Sequence, residues 1–482
     1  MRKNICLFIV ILLMFCLFTG TALSGETFKP SSASPPEKII ATVMTVIIVA
    51  LFIIVCVLLA IRAGSNIKDS EGKTWPALLL AAILAVILRV IVAAAFEGYV
   101  TDVACFKGWA IAAYENGTAG FYTSGIFADY PPGYIYVLYV LGFVRDVFEI
   151  DASGTLFTLI IKLPSIIAEV ITAVFIYKIA ARQLGKMFGL LCAAFLLFNP
   201  ALFFNSSVWG QIDAVFILFI VLALYYLKKE NYLLGAFFYT VSLLIKPQAI
   251  MMAPVVGLAY VYALFKKGGL KKALFGIFGG AVIAAAVIFA AVMPFTGNQP
   301  PEWIFEKYQG TVSFYPYASL NAFNLFALVG ANFVFSTEPF LLLNYKTWGM
   351  IFIAVVCIII IFVQWKTREQ MPYFDLNALL ILSVFMLAHA MHERYILPAC
   401  VCLIFAYVYS RDIVTLLFAA AFSVSALFNQ MVVLFADGVV SAPLPTLVFS
   451  AVNMVLYLIY TVITIKKLSS GKVLIKSPAL LG

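Results

Sequence analysis

Residues 75–96 read WPALLLAAILAVILRVIVAAAF, and residues 97–109 continue EGYVTDVACFKGW. The first stretch is long enough to cross a bilayer, which takes about 20 mainly apolar residues. The second places one carboxylate, Asp102, just beyond that run and follows it with an aromatic stretch. Apolar runs of this kind recur along the whole chain. Of its 482 residues, 64% are hydrophobic and only 11% are charged, and the mean hydropathy is +1.08. A soluble domain carries roughly a quarter charged residues. The runs are continuous and do not alternate with period two, which excludes a β-barrel. The expected fold class is therefore all-α, a polytopic helical membrane protein.

About fourteen runs approach the length of a span. They cover 5–23, 39–61, 75–96, 156–178, 187–204, 211–227, 232–246, 248–265, 272–294, 347–365, 376–391, 395–410, 412–431 and 445–465. The first begins MRKN and is followed by small residues, so it reads equally as a signal peptide or as a first span. Alternate loops carry RKN, RAGSNIKDSEGK, KIAARQLGK, LKKEN, FKKGGLKK, WKTREQ, SRD and KKLSSGKVLIK. That set holds roughly two thirds of the 31 lysines and arginines, which makes it cytoplasmic. The long loops 97–155 and 295–346 then fall outside. This threading requires YIYVLYVLGFV (134–144) to lie in the interface, where tyrosines favour the headgroup level. The net charge of +9 therefore serves membrane orientation, and no nucleic-acid partner is implied. The eight cysteines fall mostly inside apolar runs and form no CxxC pair. Packing is their expected role. No soluble domain or internal repeat is evident.

Loop 97–155 carries the chemistry. Phe106 and Trp109 lie four and seven residues after Asp102, on one helical face. The motif Asp129-Tyr130-Pro131-Pro132-Gly133 follows, and its prolines hold Asp129 at the start of the next helix. Both aspartates have a plain reading as solvated loop carboxylates, one of them a cap. Against that reading, acidic residues are scarce here, and polar groups at membrane depth point to function.

The order of a spanning helix, Asp102, an aromatic amphipathic helix and GFYTSGIFADYPPGYIYVLY resembles the GT-C superfamily of glycosyltransferases that use polyprenyl-phosphate sugars. The DYPP motif and its spacing from Asp102 resemble those of the dolichyl-phosphate-glucose-dependent glucosyltransferases. The whole chain resembles bacterial relatives of the second mannosyltransferase of GPI-anchor synthesis. NPALFFNSSVWGQIDA (199–214), LLIKPQA (243–249), YPYASLNAFNLFAL (315–328) and MHERYILPA (391–399) fit the same pattern. The resemblance covers about residues 75–400 and implies a GT-C-like bundle in which Asp102 is the catalytic base. Residues 1–74 would be two extra N-terminal spans. Residues 75–294 would form the catalytic core, and 295–482 the segment completing the donor site.

The only two histidines, His389 and His392, stand at i and i+3 in LAHAMHERYILP. They read as an interfacial cap, as zinc ligands in the wrong order for a zincin, or with Arg394 as an anion site. The resemblance favours the anion site, since related enzymes carry a His-Glu-Lys motif there and Arg394 replaces the lysine. Lys246, beside Pro247, reads as a snorkelling lysine or as a further contact to the donor phosphate. Trp109, Tyr130 and Asp129 would orient the acceptor or shape the loop. Trp209, Gln211, Asp213, Glu393 and Asn321 are candidate sugar contacts, although an aromatic belt accounts for Trp209 equally well. Asn324 is a weaker candidate. Arg89, in mid-run, is expected to pair with Glu169.

The expected reaction is inverting transfer of a hexose, mannose by the family's usual label, from a polyprenyl-phosphate sugar. The acceptor would be a hydroxyl of a glycan, glycolipid or protein outside the cytoplasmic membrane. A departing phosphate leaves as an anion, so one carboxylate base suffices where inverting glycoside hydrolases use two. No metal ligand set and no cofactor are assigned, and a divalent metal at Asp129 is left open. No nucleotide-sugar domain is present. A transporter or flippase for a lipid-linked sugar, or a glycan ligase, are the alternatives.

Overall fold

The computed structural model describes residues 35–64, 72–266, 269–300, 302–367, 371–435 and 443–470. The expected run 5–23 lies outside them. In chain order the helices are α1 (Pro35–Ala63), α2 (Trp75–Ala95), α3 (Val100–Glu115), α4 (Pro132–Val147), α5 (Thr155–Leu184), α6 (Lys186–Leu197), α7 (Asp213–Lys228) and α8 (Tyr232–Ile245). They continue as α9 (Ala253–Phe265), α10 (Leu270–Thr296), α11 (Trp303–Ser313), α12 (Tyr345–Thr367), α13 (Tyr373–Leu387), α14 (Leu397–Ser410), α15 (Ile413–Phe435) and α16 (Pro443–Ser469). Between α6 and α7, Phe204–Trp209 winds as a π-helical turn. Nine helical stretches among the described residues are long and apolar enough to cross a membrane, two of them continuous with turns, as Lys186–Trp209 and Pro247–Phe265. Their apolar side chains stay exposed, as with Phe278 at 70% and Val282 at 68% on α10. Only lipid makes such a surface stable. The fold is thus an all-α polytopic membrane protein, as the composition requires.

The chain divides into two compact units. One comprises Arg89–Glu169 and Ser206–Pro316. Within it α3 meets α4 through Tyr114, whose ring contacts those of Tyr139 and Phe143. Helix α4 ties to α10 through Tyr136 Oη, which donates to Ala291 O at 3.0 Å. Tyr308 of α11 donates to Leu243 O of α8 at 2.9 Å. Arg89 Nε pairs with Glu169 Oε2 at 2.6 Å, both side chains buried, which is the pairing expected from the sequence. At 16 residues, the YIYVLYVLGFV helix α4 is shorter than a spanning helix needs to be.

The other unit comprises Met1–Leu88, Val170–Asn205 and Tyr317–Gly482. Amides organise its interior. Asn199 caps the turn Pro200–Phe203 and donates to Ser423 Oγ of α15 at 2.8 Å. Asn429 of α15 donates to Asn321 O at 2.6 Å and accepts from Phe323 N at 2.9 Å. Asn453 of α16 donates to Phe323 O at 2.9 Å. Buried backbone polar groups must find such partners, and here side chains supply them. The loop they hold carries β1 (Ser319–Leu320) and a hairpin of β2 (Pro339–Phe340) and β3 (Leu343–Asn344). Strand β1 runs parallel to β4 (Met391–His392) with Ser319 opposite Met391 and Leu320 opposite His392.

Candidate active site

Asp102 does not end the spanning helix itself. Helix α2 stops at Ala95, and Asp102 lies in the first turn of α3, where the helix N-terminus favours negative charge. The carboxylate is half-buried. Its Oδ2 accepts from Trp209 Nε1 at 2.7 Å and from Gln211 Nε2 at 2.6 Å. Hydrogen bonds to an ionised group are the short, strong ones. Trp209 is buried and its ring stacks on Tyr99 at 4.9 Å. The carboxylate is therefore aimed by two donors that have little freedom to leave.

Gln211 also faces the other way. Its Oε1 accepts from Tyr130 Oη at 3.3 Å and from Lys246 Nζ at 3.3 Å. Lys246 Nζ sits 2.6 Å from Asp213 Oδ1, with side-chain exposures of 1% and 3%. Lys246 stands where α8 ends and a 3-10 turn beginning at Pro247 takes over. That break in the helix turns the ammonium inward. Snorkelling does not describe it, because the charge is buried and neutralised within the unit.

Asp129 and Tyr130 lie just before α4, whose N-cap is Pro131 and whose first residue is Pro132. Tyr130 is buried, with its ring 5.6 Å from Phe106 and 5.3 Å from Trp109. Trp109 Nε1 donates to Phe127 O at 2.6 Å. These two shape the loop. Asp129 is half-buried, and its backbone oxygen accepts from Thr311 Oγ1 of α11 at 3.0 Å. Burial pushes its carboxyl above the ordinary aspartate value. The charge of Asp102 adds to that rise, whereas a backbone hydrogen bond, Lys246 and Lys307 oppose it. Lys307, also on α11, lies over the Tyr122 ring at 5.1 Å. Burial lowers its pKa and Asp129 partly restores it. The sequence reading does not single out Lys307, although a lysine beside aromatic residues in a long loop is a readable signal.

In the other unit, Glu393 is buried and holds Arg394 Nη1 at 2.5 Å, with His392 Nδ1 at 3.9 Å. The His392 ring lies 5.0 Å from that of Tyr395. Asn321, at φ +63°, bridges to His392 through the backbone and exchanges amide hydrogen bonds with Asn332 at 2.7 and 3.1 Å. His392, Arg394, Glu393 and Asn321 are thus gathered together. Asn324 instead caps the turn Leu325–Leu328. His389 points elsewhere. Its half-buried ring packs near Gly349, and burial followed by Lys346 lowers its pKa. Among the described residues no three His, Cys, Asp or Glu side chains gather as a metal site.

Trp209, Gln211, Asp213 and Lys246, read from the sequence as contacts to sugar or phosphate, form one hydrogen-bonded group with Asp102. A half-buried carboxylate held by two donors has the geometry that general-base chemistry requires. Residues 136–295 match the family model of dolichyl-phosphate-mannose-protein mannosyltransferases. That match supports a GT-C-type glycosyltransferase. It covers α5 through nearly all of α10 and includes Trp209, Gln211, Asp213 and Lys246, but stops short of Asp102, Asp129 and the His392 cluster. No curated protein matches the chain.

Proposed function

We propose that the protein is an inverting hexosyltransferase that uses a polyprenyl-phosphate sugar, with Asp102 as its base. The observation that carries this reading is the Asp102 carboxylate, half-exposed and held through Oδ2 by Trp209 and Gln211. An acceptor hydroxyl gives its proton to that carboxylate as its oxygen attacks the anomeric carbon. The bond from that carbon to the phosphate oxygen breaks, and the phosphate leaves as an anion. Direct attack inverts the anomeric centre. Asp129, held by the prolines and Thr311, orients the acceptor. Lys246 serves to fix Gln211, which departs from the phosphate contact read from the sequence. In their own unit, Arg394 and His392 present N–H donors suited to phosphate recognition. Glu393 presents the guanidinium, and this differs from the sugar contact first expected of it. By the loop charges the site faces away from the cytosol. Mannose is the sugar that the matched family's description suggests.

The test is incubation of purified protein with labelled polyprenyl-phosphate mannose or glucose. A transferase releases free polyprenyl phosphate and a glycosylated acceptor, whereas a flippase leaves the donor intact. Asn at position 102 keeps an oxygen for Trp209 and Gln211 to bond but is no base. Asp102→Asn is therefore expected to lower kcat by about 10²- to 10⁴-fold, the usual contribution of a general base, with donor binding little changed. Turnover close to that of the unaltered protein would remove Asp102 from the mechanism.

A further inference from the structure

Lys162 stands in the apolar run LFTLIIKLPSII of α5, and its side chain is 1% exposed. A lysine inside a spanning helix is costly, and such residues are usually paired. Here Nζ donates to two backbone oxygens, Phe96 O at 2.6 Å and Ser207 O at 3.0 Å. Phe96 belongs to the link between α2 and α3, six residues before Asp102. Ser207 belongs to the π turn, two residues before Trp209 and four before Gln211. One amino group therefore joins the backbone that carries the carboxylate to the backbone that carries its two donors.

The same junction is built closely around it. Tyr99 N donates to Trp209 O at 2.9 Å. Gly98, at φ +108°, passes so near that a Cβ would meet Trp209 O at 2.4 Å. Gly210, at φ +90°, would put a Cβ 3.1 Å from Lys162 Cε. Both positions need glycine for the turn and for the close approach. The two segments are thus pinned at three points within a few residues.

We infer that Lys162 is a positioning residue that holds Trp209 and Gln211 on Asp102; the inference rests on the proposed role of Asp102 for its kinetic consequence only. Removing the amino group takes its hydrogen bonds from two backbone carbonyls and lets the π turn drift from the Phe96–Tyr99 link. A displacement of about 1 Å at a reacting group can cost about a hundredfold in rate.

The experiment labels tryptophan with ¹⁵N at Nε1 and follows the Trp209 indole N–H signal in the full chain, assigned by its loss in Trp209→Phe. In Lys162→Met the signal is expected to move from its strongly hydrogen-bonded position toward the one seen in Asp102→Asn. Lys162→Gln, which keeps N–H donors, is expected to lie between and serves if the methionine protein does not fold. With polyprenyl-phosphate mannose, kcat is expected to fall about a hundredfold and the donor KM to stay within about twofold. An unmoved Trp209 signal in either folded variant overturns the inference, as does a loss confined to donor KM. The indole signal needs no turnover, so failure of the proposed reaction is read separately from failure of this role.

Discussion

Replacing Asp213 with asparagine leaves the Lys246 ammonium buried beside a neutral amide. The pair is 2.6 Å apart and almost wholly out of solvent. Removing one member of a buried pair costs about 3–5 kcal/mol, because the other charge stays uncompensated. Folded proteins have about 5–15 kcal/mol of stability in total, so thermal unfolding in detergent should show a large drop for Asp213→Asn or Lys246→Met alone. The double variant Asp213→Leu/Lys246→Met has neither charge of the pair left and is expected to regain most of that stability. Activity should not follow. Lys246 holds Gln211 Oε1 at 3.3 Å, and a hydrogen bond to a charged group is worth about 1.5–3 kcal/mol. At about 1.4 kcal/mol per decade, the stable double variant should lose about 10- to 100-fold in kcat with its donor KM unchanged. A raised KM with kcat intact would return Lys246 to a phosphate contact. Equal stability of the single and double variants would refute the pairing argument altogether.

The raised Asp129 carboxyl gives a pH signature. The folded protein holds that proton more tightly than the unfolded chain does, so stability falls as pH rises from the ordinary aspartate range through the raised folded value. Asp129→Asn should flatten that fall in thermal unfolding scans and leave the protein more stable than the wild type at neutral pH. Gly98→Ala drives a methyl into the Trp209 carbonyl and should abolish folded protein by size-exclusion chromatography, whereas Gly257→Ala, which meets nothing within 4 Å, should elute as wild type. Glu169→Gln should destabilise by about 3 kcal/mol by removing the carboxylate charge that pairs with the buried Arg89 guanidinium, with the Arg89→Met/Glu169→Leu pair as the recovering control in the same unfolding assay.

The helical class was legible because lipid demands long apolar runs, and residues such as Phe278 and Val282 show that surface directly. The Arg89–Glu169 pair was legible for the same reason, since an isolated charge in such a run needs a partner. Asp102 stood out as a lone carboxylate. The hydrogen-bond partners of Trp209, Gln211 and Lys246 were not legible. Their residue types suit a sugar or a phosphate equally well, and only the fold shows that they also bond one another and Asp102. Lys162 carried the same signal as Arg89, a charge within an apolar run, but its partners are backbone oxygens, and no residue type announces those. The β1–β4 pairing of Leu320 with His392 joins segments about 70 residues apart through two-residue strands too short to leave any alternation in the sequence.

The π turn at Phe204–Trp209 makes chain length itself a determinant of how Asp102 is held. Each residue of an ordinary helix advances the chain by about 100°. Deleting one residue from this turn would let it rewind in the common form and swing the indole of Trp209 to another side of the helix. Such a deletion removes no group that touches a reactant, yet it should silence the protein as thoroughly as losing the carboxylate. Insertions and deletions in this segment are therefore expected to be tolerated far less than changes of side chain.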